Sequence, residues 1–270
     1  MKIGFVGSGN MAAAIARGMV KNHFVEGEKV YLFDVDSDKV NALGQEMGGQ
    51  ICNSSEQLLQ EVDVVVLAVK PDVIEKVLVE SKSIILEQKP LIISIAAGTP
   101  LDKISGYLNV SDPVAIVRVM PNVNATIGMG AAAVCGNDYV TEQQLDDVVR
   151  MFESVGKAWI VKESDFSTFT ALASSSPAYA YLFIDSLARA GVKHGFSKEL
   201  ATQFAAQAVL GSAQMILDSG ENPWTLIDRV CSPGGTTVAG LLALEEEAFT
   251  ATIVKGIDAT INRDKELNKK

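Results

Sequence analysis

KIGFVGSGNMAAAIARGMVK, residues 2–21, passes from a short apolar run into a helical pattern through a turn of small residues. Lys2–Val6 is continuously apolar after its lysine rather than alternating, as a strand covered on both faces must be. Asn10–Lys21 reads as a helix. The junction, Gly7-Ser8-Gly9-Asn10-Met11-Ala12, is a G-x-G-x-x-A pattern lying between a strand and a helix, the context that gives it meaning. Gly7 permits the tight turn, Gly9 lets backbone approach a pyrophosphate, and Ala12 keeps helix and sheet close. The helix start adds free N–H donors and a partial positive charge for phosphate oxygens.

The same rhythm continues outward. Lys29–Phe33, Val62–Ala68, Leu91–Ile95 and Val114–Val119 are further strand candidates, rich in Val, Ile and Leu. Ser37–Glu46, Pro71–Glu80 and Leu101–Tyr107 are the helices between them. The pattern predicts an α/β fold, a Rossmann-like doubly wound parallel sheet with right-handed crossovers. Thr141 with Gln144, and Ser54 with Gln57, have capping-box spacing. Thr141 opens a helix with Leu145, Val148, Val149 and Phe152 on one face, closed near Gly156. From about Glu163 the strand signal vanishes, and long helical patterns follow at Phe166–His194, Ser197–Ser219, Thr236–Glu247 and Phe249–Lys265. The expected division is residues 1–162, a dinucleotide-binding domain, and 163–270, an all-α domain. Leu200, Phe204, Ala208, Gly211 and Met215 form a narrow stripe that fits either packing against a second copy or an internal bundle core.

Composition narrows the class of protein. Of the 270 residues, 48% are apolar and 21% charged, enough for a substantial core. A formal charge of −10 without a long basic run argues against a nucleic-acid partner. The three cysteines, Cys52, Cys135 and Cys231, are widely spaced and form no CxxC, so neither a disulfide framework nor a zinc ribbon is indicated. The two histidines, His23 and His194, have no ligand-spaced neighbours, and no metal site is expected. The start lacks the uninterrupted apolar stretch of a signal peptide. Residues 171–190 contain Asp185 and Arg189 and read as a buried helix, not a membrane span. A cytoplasmic enzyme or binding protein is the default.

Candidate site residues cluster where the strands end. After the second strand come Asp34 and Asp36; an acid here accepts hydrogen bonds from a ribose 2′-hydroxyl and repels a 2′-phosphate, which favours NADH over NADPH. Both acids equally suit a loop and a helix cap. Lys70, ahead of Pro71, is read as a binding charge rather than a catalytic base. The small residues of Ser94-Ile95-Ala96-Ala97-Gly98 would let a nicotinamide ring lie against backbone. Met120-Pro121-Asn122 is a third distinctive strand end at the ligand edge, or else plain turn chemistry, since Pro and Asn both favour turns. Ser174-Ser175-Ser176 ahead of Pro177 suggests a helix break, either structural or facing the cofactor.

GSGNMAAAIARG, AVKP, SIAAG, MPN, SSSPAY and above all SPGGTTVAGLLALE occur in the order that resembles the pyrroline-5-carboxylate reductase family, from residue 3 to about 265. That resemblance implies reduction of 1-pyrroline-5-carboxylate to proline with NADPH or NADH, the last step of proline synthesis. It also implies a helical domain that forms a homodimer, often assembled further. By position it implies cofactor contacts at Gly7, Ser8, Gly9, Asn10 and Met11, at Asn53, along Ala68, Val69, Lys70 and Pro71, and at Ile95, Ala96 and Ala97. The substrate would rest on Ser232, Pro233, Gly234, Gly235, Thr236 and Thr237, with Thr237 near the ring nitrogen as the catalytic residue. Two departures stand out. The family's Gly-Ser-Gly before Pro-Ala-Tyr is Ser174-Ser175-Ser176 here, and the loop after the second strand lacks the Ser/Asn/Arg character of NADPH-preferring relatives, which leaves the cofactor open.

The uncharged Ser232–Thr237 segment then has a rationale. A helix start offers unpaired N–H groups to a carboxylate, worth roughly 0.3–2 kcal/mol for an anion. An arginine would bind the acid too but would repel the protonated imine beside it. Thr237 suits hydrogen bonding to the nitrogen or relay of a proton from water, not strong general-acid work. Two other classes compete: a β-hydroxyacid or cyclic-imine dehydrogenase, weakened because Lys193 lacks a glycine-framed context, and a nucleotide-sensing protein without turnover. Cys231 has no neighbouring base and is expected to be packed rather than reactive.

Overall fold

The computed structural model describes residues 1–109 and 112–268. They form two compact units: the first runs to Ser174 and regains the chain from Ile261, and the second is Ser175–Thr260.

In the first unit the strands are β1 (Ile3–Val6), β2 (Val30–Phe33), β3 (Gln50–Ile51), β4 (Val64–Leu67), β5 (Leu91–Ser94), β6 (Ile116–Met120), β7 (Gly130–Gly136) and β8 (Gly156–Ile160). Its helices are α1 (Asn10–Lys21), α2 (Ser37–Met47), α3 (Ser55–Glu61), α4 (Pro71–Glu80), α5 (Lys82–Gln88), α6 (Leu101–Leu108), α7 (Glu142–Glu153) and α8 (Phe166–Phe169), after which Thr170–Ser175 is π-helical. The strands make one eight-stranded sheet in the order β3-β2-β1-β4-β5-β6-β7-β8. Side chains alternate between its faces. Ile3, Phe5, Val64, Val66, Leu91 and Ile93 pack under α1, α2 and α7, while Val6, Val65, Leu67 and Ile92 pack under α3 to α6. Continuous apolar strands are therefore buried on both sides, as helix-covered parallel strands are.

The sheet departs from the all-parallel expectation at one edge. β7 runs antiparallel to β6, with Val119 opposite Val134, and β8 then pairs parallel to β7. β7 reads Gly-Ala-Ala-Ala-Val-Cys-Gly. It has almost no intrinsic strand signal and is extended because its ladder partners and α7 cover it, a tertiary override of propensity. The short β3, α3 and α5 were likewise not spelled out by periodicity. Thr141 and Gln144 form the full capping box. Ser54 caps α3 by accepting from the Gln57 N–H at 3.1 Å, but the Gln57 side chain turns to the Asn53 N–H at 2.7 Å, one residue earlier than the box requires. The expected helix break at Ser174–Ser176 is instead a π-helical stretch, in which the hydrogen-bond register widens without a loop.

The second unit contains α9 (Ser176–Lys193), α10 (Lys198–Ser219), α11 (Pro223–Val230), α12 (Thr236–Glu246) and the start of α13 (Phe249–Asn268), whose last turns belong to the first unit. α9 and α10 pair closely, with Ala188, Ala201 and Ala205 buried. The stretch 171–190 is not buried within the chain, however: Tyr181 and Leu182 are 59% and 67% exposed. Apolar composition tells that a face wants cover; it does not tell which surface supplies it.

Candidate functional site

The sheet order brings the carboxyl ends of β1, β2, β4 and β5 to one edge. Gly7 N–H donates to Phe33 O at 2.8 Å, Ala68 N–H to Val6 O at 2.9 Å, and Ile95 N–H to Leu67 O at 3.3 Å. Cys52 N–H, donating to Leu32 O at 2.9 Å, brings Asn53 to the same edge. The sequence-predicted residues Gly7–Met11, Asp34, Asn53, Ala68–Pro71 and Ile95–Ala97 are thus neighbours in space, although they come from five separate stretches of chain.

The turn after β1 is built for an anion. Gly7 has φ +103°, and a side chain there would meet Ala68 O at 2.5 Å, so only glycine fits. A Cβ on Gly9 would enter open space. Gly9 caps α1 without any side-chain hydrogen bond, and the first turn holds no acid. The leading N–H groups of α1 are therefore left for a ligand. Ser8 is buried, and its hydroxyl finds no partner among the described residues. An orphaned buried donor beside an uncapped helix start and free space is the chemistry a pyrophosphate satisfies, so the residues fit a dinucleotide.

Asp34 and Asp36 have defined roles. Asp34 accepts the Ser8 N–H at 2.5 Å and the Asp36 N–H at 2.9 Å, tying the end of β2 to the phosphate turn. Asp36 caps α2, accepts from Lys39 N–H and pairs with the Lys39 ammonium at 2.7 Å, contacts that hold its carboxyl below the ordinary range. Lys70 is exposed and caps α4, with Pro71 in the first turn. Ser94 is fully buried at the end of β5, and its hydroxyl accepts from Ala96 N–H at 3.4 Å, shaping the small-residue loop.

Beside this edge lie contacts that sequence reasoning missed. Asn122 is buried and bonds both Ala173 O and Ala131 N–H. Arg118, 2% exposed, reaches Glu163 at 3.0 Å and stacks 4.6 Å from the Phe166 ring centroid. Glu163 also accepts the Leu101 N–H at 2.8 Å. Burial pushes the Cys135 thiol up to about 12, which makes it an inert packing group.

In the second unit, Ser232–Thr237 is one compact turn. Gly235 N–H donates to Ser232 O at 3.0 Å, Gly234 has φ +67°, and Gly235 caps α12 with no side-chain hydrogen bond and no acid in the first turn. Like α4, α5, α6, α8 and α9, the helices α1 and α12 begin without a side-chain cap, but these two begin on glycine. Cys231 is half-buried. The Leu200–Met215 stripe is not a core of this chain, since Phe204 and Met215 are 53% and 56% exposed.

A helix-flanked sheet with a glycine turn fitted to a pyrophosphate, followed by a helical unit, defines a dinucleotide-dependent oxidoreductase of the Rossmann type. A family model described as pyrroline-5-carboxylate reductase dimerisation matches residues 163–267, and one described as NADP oxidoreductase, coenzyme F420-dependent, matches residues 2–98. The chain is 37% identical to the pyrroline-5-carboxylate reductase of Escherichia coli over 99% of its own length and 98% of the relative's. It overlays a solved pyrroline-5-carboxylate reductase from Coxiella burnetii with a TM-score of 0.94 at 33% identity, covering 100% of this chain and 99% of that one. The reductase of Plasmodium falciparum, solved with NADP bound, gives a TM-score of 0.87 at 33% identity over 99% and 98% of the two chains. The chain belongs to the pyrroline-5-carboxylate reductase family.

Proposed function

We propose that this chain reduces 1-pyrroline-5-carboxylate to L-proline with a reduced nicotinamide dinucleotide, the closing step of proline biosynthesis. The observation that carries the reading is the pair of uncapped, glycine-led helix starts, α1 and α12, in a chain matched end to end by reductases of that name. Residues 1–162 act as the cofactor domain. Gly7, Ser8, Gly9, Asn10 and Met11 hold the pyrophosphate; Asp34 and Asn53 line the adenosine side; Ala68–Pro71 and Ile95–Ala97 form the floor toward the nicotinamide. Residues 163–270 act as the substrate and dimerisation domain. The Ser232–Gly235 turn frames the substrate carboxylate, which the leading main-chain N–H groups of α12, at Thr236 and Thr237, receive; such neutral donors hold an acid without opposing a protonated imine.

The bound nicotinamide supplies the hydride. The chain's own contribution is alignment: two reacting partners held in one geometry rather than meeting in solution. Thr237 hydrogen-bonds the ring nitrogen and passes it a proton from water. Asp34, already fixed by two main-chain N–H groups, favours a free ribose hydroxyl over a 2′-phosphate, hence NADH over NADPH. The chain works as a homodimer, with dimers assembling further, and its three free cysteines fit a cytoplasmic setting.

The test is absorbance at the reduced-nicotinamide band with pyrroline-5-carboxylate and each cofactor. Turnover is expected, with the larger kcat/KM for NADH; absence of turnover ends the reading, and a strong NADPH preference ends only the cofactor assignment. Thr237→Ala should lower kcat/KM for the imine about tenfold, the value of roughly one 1.4 kcal/mol contact, with cofactor affinity unchanged. Wild-type turnover in that variant would remove Thr237 from the mechanism.

A further inference from the structure

The turn Pro121-Asn122 lies just past β6 and is explained by neither cofactor nor substrate. Asn122 is 5% exposed, and its amide makes two hydrogen bonds, both to main chain. Oδ1 accepts from the N–H of Ala131 in β7 at 3.1 Å, and Nδ2 donates to the carbonyl of Ala173 at 2.9 Å. Ala173 lies in the π-helical stretch Thr170–Ser175. Widening of the helical register there disturbs the usual carbonyl pairing, and such stretches are enriched at functional sites. The next residue, Ser174, donates from its hydroxyl to Pro121 O at 3.3 Å. One turn thus grips two successive residues of the π stretch. In that same stretch the Thr170 hydroxyl is buried and has no partner among the described residues.

The location gives the grip a use. β5 and β6 are parallel neighbours with Ser94 opposite Arg118. Asn122, two residues past the end of β6, therefore lies at the same carboxyl edge of the sheet as the Ile95–Ala97 loop that follows β5. We propose that Asn122 is a positioning residue for the reduction. Its amide pins the π stretch to the carboxyl edge of the sheet beside the nicotinamide floor, and so fixes where the main-chain and hydroxyl groups of Thr170–Ser174 stand during hydride transfer. The inference rests on the reductase reading above.

Asn122→Asp tests it, because the two states of an aspartate differ in the one bond that matters. Protonated, the carboxyl donates to Ala173 O and accepts from Ala131 N–H as the amide does; ionised, it only accepts and faces a carbonyl oxygen. Both native partners are main-chain groups, so the introduced carboxyl is the titrating group in this contact. The expected result is a kcat at least tenfold below wild type at pH 8, with the variant-to-wild-type ratio rising toward one as the pH falls. The KM for the reduced nicotinamide should stay within twofold, and the thermal transition should show a folded protein at each pH. Ser174→Ala provides a milder second variant that retains the Asn122 bonds, with a several-fold loss in kcat at unchanged nicotinamide KM. It decides the matter if Asn122→Asp does not fold at pH 8. A flat ratio across pH in a folded Asn122→Asp protein, a loss carried by nicotinamide KM, or an unchanged kcat in Ser174→Ala overturns the proposal. Wild-type protein that does not turn over pyrroline-5-carboxylate sinks the reaction itself, and this inference with it; active wild type with a flat ratio sinks the inference alone.

Discussion

Gly7 shows how much one residue can settle. Its φ of +103°, and the 2.5 Å between Ala68 O and the place a Cβ would occupy, leave glycine as the sole fit. The turn it makes aims the start of α1 at the carboxyl edge. Gly7→Ala should therefore cost about 1–3 kcal/mol in backbone strain. It should also weaken nicotinamide dinucleotide binding at least tenfold, because Ala68 and the N–H groups of the turn must move apart. Urea unfolding and a fluorescence titration would measure the two effects, and a variant with native stability and affinity would show that the turn tolerates a side chain. Gly9 differs: its surroundings are open, so nothing within the described fold itself demands glycine there. Such roles were legible in the sequence because they follow from local geometry. The Asp34 contacts with Ser8 were not, since the bond spans 26 positions and no spacing rule announces it.

At the level of elements, the connector after β8 depends on a buried ion pair. Glu163 accepts from Arg118 on β6 and from the first N–H of α6, joining two parts of the sheet edge to the start of the helical sequence. Two further nitrogens of the Arg118 guanidinium have no partner among the described residues, so the carboxylate is its main compensation. Glu163→Ala is expected to cost about 3 kcal/mol, the low end for loss of one partner of a buried pair, because the Glu163 side chain retains 31% exposure. At roughly 2–4 °C per kcal/mol for a chain of this size, the loss should be plain in a thermal scan. An unchanged Tm would show that the pair contributes nothing net. Replacing both charges with apolar side chains, as in a paired Arg118→Met and Glu163→Leu variant, should recover much of the loss. Elements with a strong local pattern, such as β1, α1 and α7, were legible beforehand. β7 and the π stretch were not: one is an alanine-rich run extended by its neighbours, the other a helix whose register is widened where Asn122 and Ser174 bond to it and to Pro121.

For the molecule as a whole, the telling feature is how little the second unit covers itself. Ala188, Ala201, Ala205 and Pro177 are its buried apolar side chains among the described residues, while Leu182, Phe204, Met215 and Leu217 lie open. An apolar surface of that extent on a helical unit marks an interaction face, and the dimerisation family model spans the same sequence. Phe204→Arg, on the exposed stripe of α10, should shift the protein to smaller species in sedimentation velocity and lower specific activity at dilute protein. Because such a unit gains its stability by association, the variant should also unfold earlier, by an amount that depends on protein concentration. A variant that sediments as the wild type would place the interface elsewhere.

The amino-acid order alone determined the β-α alternation, the glycine turn between β1 and α1, the helical second half and the family, because each is a short-range pattern: periodicity, a glycine at a tight turn, a motif of a few consecutive residues. Tertiary structure alone decided the antiparallel pairing of β7, the bracing of Ser8 by Asp34, the Arg118–Glu163 pair, the clamp of Asn122 on the π stretch, and the exposure of an apolar stripe that sequence left divided between internal core and interface. Those features depend on groups tens of residues apart meeting at one place, and a contact of that kind leaves no periodic trace in the chain.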